Sequence, residues 1–199
     1  MIQALIFDFS GVCSSNEEPD FVRRFAQQHH LPVGEFEQAY IHLIHQAERD
    51  EMTGIQVWEK LSRRYSVKID IQKTIQDMID QKEYYFDMLS FAQSLRKKYN
   101  IGVFSNYNQY YWELIVKKIN LHPYFDSILV SYQVQARKDA APGFHWFLKQ
   151  FSTKPEETLV IDDSEKNLAI PKQLGFQTIL FRNKEQLMKE MKQSGITFK

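Results

Sequence analysis

Three short, largely apolar runs that each end in polar residues constrain this chain most. Ala4-Leu5-Ile6-Phe7 leads into Asp8, Ile101-Gly102-Val103-Phe104 into Ser105-Asn106, and Thr158-Leu159-Val160-Ile161 into Asp162-Asp163. Apolar runs of this length, bounded by turn-forming residues, read as strands buried on both faces, as in a parallel sheet. Open α/β sheets bind their ligands beyond the carboxyl ends of the strands. Asp8, Ser105, Asp162 and Asp163 therefore fall where a ligand would sit.

The rest of the chain divides into two patterns. From about residue 16 to residue 86 helical spacing prevails. Phe36, Tyr40, Leu43, Ile44 and Ala47 share one helix face, as do Ile71, Ile75, Met78 and Ile79, which marks amphipathic helices. Phe21, Val22 and Phe25 indicate another helix before Pro32, and Ile55, Trp58 and Leu61 one before Tyr65-Ser66, making four. After Asp87 helices and strands alternate, with further strands near Ser127–Val130 and Gln177–Phe181 and a last helix capped by Asn183 with Gln186. Alternation of this kind implies a parallel sheet with right-handed crossovers.

Composition narrows the function classes. Apolar residues make up 43% of the 199, and 25 basic residues balance 25 acidic ones. No net positive field exists to draw nucleic acid or an anionic membrane surface, so neither is expected as a partner. Cys13 is the single cysteine, which excludes an intramolecular disulfide and reads as a small packed residue. No signal-peptide pattern and no apolar run of roughly 18 residues appears, so a cytoplasmic location is expected.

The ordered set of Asp8, Ser105, Lys138 and the Asp162-Asp163 pair resembles the four motifs of the haloacid dehalogenase superfamily of hydrolases, across nearly the whole chain. Asp162-Asp163-Ser164-Glu165-Lys166-Asn167 followed by Gly175 is similar to the fourth motif through its closing glycine. The resemblance implies an α/β, Rossmann-like core of five parallel strands in the spatial order 5-4-1-2-3, with a four-helix cap inserted after the first strand. Residues 1–15 and 87–199 would form the core, and 16–86 the cap. Such a fold brings Asp8, Ser105, Asp162 and Asp163 to one site.

The family's chemistry assigns roles to these residues. Asp8 is the expected nucleophile, forming an aspartyl phosphate, and Lys138 bridges it and the phosphoryl group. Ser105 and Asn106 would hold the phosphoryl oxygens, and Asn167 would orient the acidic loop. Magnesium and Lys138 together offset the three carboxylates of Asp8, Asp162 and Asp163, and hard oxygen donors suit that ion. Asp163 is the expected direct ligand, Asp162 a direct or water-mediated one, and the carbonyl of Ser10 the third protein ligand. The implied partner is a small phosphorylated metabolite, as for bacterial sugar-1-phosphate phosphatases with a small residue in motif one.

Ser10 is the main departure from the pattern. It stands where family phosphatases carry a second aspartate, the general acid and base, a group worth ~10²- to 10⁴-fold in rate. Asp139 replaces the proline after the motif lysine, and Pro171 falls inside a predicted helix, where it should kink the segment. These changes imply weakened or selective activity and keep a second reading open, a non-catalytic binding or regulatory relative. A third, metal-independent 2-haloacid dehalogenase chemistry, is opposed by the Asp162-Asp163 pair.

Other candidates are weaker. Arg49 is the cap residue expected to reach substrate. His42 and His45 have metal-ligand spacing but no third partner, and read as a helix face. Tyr107, Tyr110, Tyr111 and Trp112, with Tyr84, Tyr85 and Phe86, could wall a pocket or pack the core.

Overall fold

The computed structural model describes residues 1–198. Five parallel strands form the sheet: β1 (Ala4–Phe7), β2 (Asn100–Ser105), β3 (Ser127–Val130), β4 (Thr158–Asp162) and β5 (Gln177–Leu180), in the order β3-β2-β1-β4-β5. This is the order expected. Phe7 pairs with Val103 on one side and Ile161 on the other. One residue further on, Asp8 and Asp162 lie side by side, and the Asp8 N–H extends the ladder to the Ile161 carbonyl at 2.8 Å.

Strand alternation sorts the core into two layers. Leu5 and Phe7 point to one face, where Met88 and Leu89 of α5 (Phe86–Leu95), Ile115 of α6 (Gln109–Lys118) and Leu187 of α9 (Lys184–Gln193) bury them. Ile6 points to the other, where Phe144 and Phe147 of α7 (Pro142–Phe151) and Leu168 of α8 (Glu165–Gln173) cover it. Covering both faces is what lets these strands be continuous apolar runs. Asn183 caps α9 by accepting from the Gln186 N–H at 2.9 Å, while the Gln186 side chain accepts from the Arg182 N–H at 3.1 Å. Pro171 stays inside α8 near its C-terminal end, buried. There its missing N–H deprives only the Asn167 carbonyl of a partner, so the helix continues through it.

Four helices separate β1 from α5: α1 (Glu18–Gln28), α2 (Val33–Ala47), α3 (Gly54–Tyr65) and α4 (Ile71–Asp80). Their apolar faces meet around the buried Trp58, whose ring centroid lies 4.9 Å from that of Phe25 and 5.5 Å from that of Tyr40. A Thr53–Gln56 capping box starts α3 and Asp70 caps α4. The chain enters and leaves the insertion side by side: the Ser15 N–H bonds the Glu83 carbonyl and the Tyr85 N–H the Cys13 carbonyl, at 2.8 and 2.9 Å. Buried Lys82 ties the crossing together by donating to the Ser15 carbonyl at 2.7 Å and to Glu17 at 3.2 Å. One hydrogen bond, from Trp58 Nε1 to the Tyr111 hydroxyl at 2.8 Å, joins α3 to α6. No helix among the described residues is long and apolar enough to cross a membrane.

Candidate active site

Asp8 follows β1, Ser105 ends β2 and Asp162 ends β4, so the sheet register alone gathers three of the expected residues at its carboxyl edge. Lys138 arrives from the loop before α7, held by its N–H bond to the Asn106 side chain at 3.1 Å. Its Nζ stands 2.6 Å from Asp8 Oδ1 and 2.7 Å from Asp162 Oδ2. Asp162 also accepts from the Ser164 N–H at 2.9 Å and from Asn167 Nδ2 at 3.1 Å. Both its oxygens are thereby engaged by protein donors, and Asn167 orients the acidic loop directly.

Asp8, Asp162 and Asp163 can place one carboxylate oxygen each within 4.8 Å of one another, the sole such metal-capable group among the described residues. Burial, then the Asp162 carboxylate, push the Asp8 carboxyl up to about 8 from its ordinary 3.8. Burial and Asp162 likewise raise Asp163. Burial opposes the charge on Lys138, but Asp162 and Asp8 outweigh it and hold the ammonium above its usual range. One lysine leaves the cluster with surplus negative charge, and hard oxygen donors around such a surplus fit a divalent cation such as magnesium. Gly11, at φ +91°, lets the loop after Asp8 pass against Asp163.

Asp8, Ser105, Lys138 and Asp163 form the floor of a cavity of about 670 Å³ roofed by α1 and α2, while buried Asp162 stays outside the lining. Ser10 lines it, its hydroxyl 2.7 Å from that of Tyr107. Of the seven aromatic candidates Tyr107 alone lines this cavity; Tyr111 and Trp112 are packed in the core. Asn106 and Asn167 line it, but Arg49 does not: its Nε pairs with Glu51 at 2.7 Å. His42 bonds Gln46 at 3.0 Å, whereas His45 lines the cavity, pushed down to about 4 by burial and by Arg137. Asp139 lies outside the lining, with a carboxylate oxygen 3.6 Å from Arg137 Nε.

Sequence reasoning missed Glu18, Tyr40 and Glu48, which roof the cavity, and Arg137, which also lines it. Glu48 forms a largely buried ion pair with Arg137 across the cavity. A signal for it existed: Tyr40, Ile44 and Glu48 recur every fourth residue, so Glu48 continues the buried stripe of α2 while Arg49 is turned away from it.

Comparison with known proteins identifies the family. The profile of the family described as haloacid dehalogenase-like hydrolase matches residues 5–181, and the chain belongs to that family. D-ribitol-5-phosphate phosphatase of Bacteroides thetaiotaomicron is 26% identical over 189 residues, 89% of this chain and 91% of that protein. A crystal structure of a haloacid dehalogenase family enzyme of the same organism, in complex with magnesium and inorganic phosphate, superposes with a TM-score of 0.75 at 20% identity, covering 94% of this chain and 99% of that one. A predicted hydrolase of this family from Porphyromonas gingivalis gives a TM-score of 0.75 at 23% identity, with 99% of both chains covered. The chain is an enzyme of the hydrolase family, with the fold these structures share.

Proposed function

We propose that the protein is a magnesium-dependent phosphatase of a small phosphorylated polyol or sugar, acting through an aspartyl phosphate on Asp8. The observation that carries this reading is the Lys138 ammonium held between Asp8 and Asp162 with Asp163 beside them, a nucleophile in a site built for surplus positive charge. Its similarity to a D-ribitol-5-phosphate phosphatase over nine-tenths of the chain supports the substrate class. Neutral hydrogen-bonding groups in the cavity, Ser10, Tyr40, Tyr107, Asn16 and Asn106, suit a chain of hydroxyls.

In this reading Asp163, Asp8 and the Ser10 carbonyl hold magnesium, which neutralises charge on the phosphoryl oxygens. Asp162 positions Lys138 and the loop. Lys138 keeps Asp8 oriented and contacts the phosphoryl group, while the Ser105 hydroxyl and the Asn106 N–H take further oxygens. Residues 16–86 serve as a cap that excludes water, with Glu48 and Arg137 closing it onto the core.

Phosphate release from D-ribitol 5-phosphate and a panel of sugar phosphates, with magnesium and with chelator, tests the reading. Magnesium-dependent release that Asp8→Asn abolishes is the expected result. Release from none of the esters would favour a binding protein of the same fold, the reading that Ser10 itself motivates.

A further inference from the structure

Ser10 leaves the site without an acid two residues after its nucleophile. Its hydroxyl is engaged with the Tyr107 phenol, 2.7 Å away, and a serine hydroxyl bonded to a phenol is no acid–base catalyst near neutral pH. Five carboxyl groups line the cavity: Asp8, Glu18, Glu37, Glu48 and Asp163. Asp8 and Asp163 belong to the acidic floor, Glu37 pairs with Arg23 at 2.9 Å, and Glu48 pairs with Arg137. Among the described residues, Glu18 alone of the five has neither a cationic partner in contact nor a place in the floor.

Glu18 is the first residue of α1, on the connection that leads from the motif loop into the insertion. One of its oxygens accepts from the Tyr40 hydroxyl at 3.0 Å, which fixes the side chain. Among the described residues no protein group hydrogen-bonds the other oxygen, although the side chain lines the same cavity as Asp8, Ser10 and Tyr107. Glu17, its neighbour, is taken up by Lys82 and Ser15 instead.

We propose that Glu18 is the proton donor and acceptor of the reaction, supplying from the helical insertion the group that Ser10 cannot supply. The proposal rests on the phosphatase reading. Asp8 attacks phosphorus and the bond to the substrate oxygen breaks; the electron pair stays on that oxygen, which takes the Glu18 proton and leaves as a neutral alcohol. The Glu18 carboxylate then takes a proton from water as the water oxygen attacks the aspartyl phosphate. The bond to Asp8 breaks, the carboxylate is restored, and Glu18 is protonated for the next cycle.

The surroundings suit a carboxylic acid that holds its proton. Burial raises the Glu18 carboxyl above its usual range against the opposing pull of the Tyr40 hydrogen bond, with Lys82 and Arg137 also lowering it and Glu17 raising it. Tyr40, Tyr107 and Tyr111, the phenols that feel its charge, are themselves shifted upward, chiefly by burial, and stay neutral. A raised acid is the form needed to protonate an alkoxide leaving group.

Glu18→Gln keeps the side-chain length and the Tyr40 bond. In the full chain with magnesium, turnover of D-ribitol 5-phosphate should fall ~10²- to 10⁴-fold, with KM little changed. The fall in kcat/KM that accompanies loss of the Glu18 proton as pH rises in the parent should disappear from the residual activity. p-Nitrophenyl phosphate, whose leaving group needs no proton, should still give a burst of nitrophenolate equal to the enzyme concentration, followed by slow turnover. Glu18→Ala should regain turnover of the alkyl ester when formate is added. Unchanged turnover of D-ribitol 5-phosphate in Glu18→Gln overturns the proposal, as does loss of the nitrophenolate burst together with no formate rescue. A parent enzyme that releases phosphate from neither ester overturns the phosphatase reading itself, and is told apart because it requires no substitution.

Discussion

Gly11 and Asp163 are packed so closely that a Cβ on Gly11 would stand 2.1 Å from Asp163 Oδ2 and 2.4 Å from its Cγ. The turn that carries the chain away from Asp8 is shaped to make room for the acid at the end of another strand. Gly11→Ala must both occupy that space and adopt φ near +91°, a strain of ~1–3 kcal/mol before the clash is counted. The expected outcome is a lower melting temperature and loss of the rise in melting temperature that millimolar magnesium is expected to give the parent. Calorimetry with and without magnesium checks it.

The pH dependence of metal binding follows from Asp8. Its folded-state value of about 8 lies above the unfolded 3.8, so between these limits the metal-free folded chain binds more protons than the unfolded one. By linkage, its stability falls as pH rises through that window. Magnesium reverses the cost of ionising the cluster. The stabilisation at fixed magnesium should therefore grow from pH 5 to pH 8, as melting curves across that range would record; a constant increment would remove Asp8 from the metal site.

Asp8→Asn keeps the size of the side chain and one acceptor for Lys138 but has no anionic oxygen to attack phosphorus. Steady-state phosphate release should drop by several orders of magnitude while circular dichroism stays native. Acid-quenched Asp8→Asn should carry no phosphate from a labelled ester, whereas the parent should.

Ser10→Asp would put a carboxylate beside Tyr107 and restore an acid at the position where the motif lacks one. If Glu18 already moves the protons, the gain in the parent should be small. In Glu18→Gln the same change should raise turnover of D-ribitol 5-phosphate toward ~10²-fold. Comparing the four proteins in a double-mutant cycle measures that dependence.

Tyr111→Phe removes the acceptor of the buried Trp58 N–H, 2.8 Å away. Leaving a buried donor unpaired costs about 1–3 kcal/mol. For a chain of this size that corresponds to a melting temperature lower by a few degrees, readable by calorimetry.

The sheet and the floor of the site were legible in the sequence for one physical reason. A strand buried on both faces must be a continuous apolar run, and its end must show as a change to polar residues, as at Asp8, Ser105 and Asp162. Parallel register then brings those ends together, and the Gln186 N–H bond to Asn183 was visible in the same local way. The charge surplus of Asp8, Asp162 and Asp163 over Lys138 likewise needed only the residue types and the strand order.

The roof of the cavity could not be read in this way. Whether Arg49 or Glu48 faces the substrate is decided by the rotation of α2, which the packing of Phe36, Tyr40 and Ile44 around Trp58 sets. Nor does the chain order show that Asp139 sits against Arg137 and outside the cavity lining. Glu18, the first residue of α1, carries no local sign of a further role, because acids at a helix start favour the positive end of the helix dipole. Only the closing of α1 and α2 over the sheet edge makes it a carboxyl group in the same cavity as the nucleophile. Local pattern determines which residues end a strand; which side chains share a cavity depends on contacts between segments distant in sequence, and these exist only once the helices have packed.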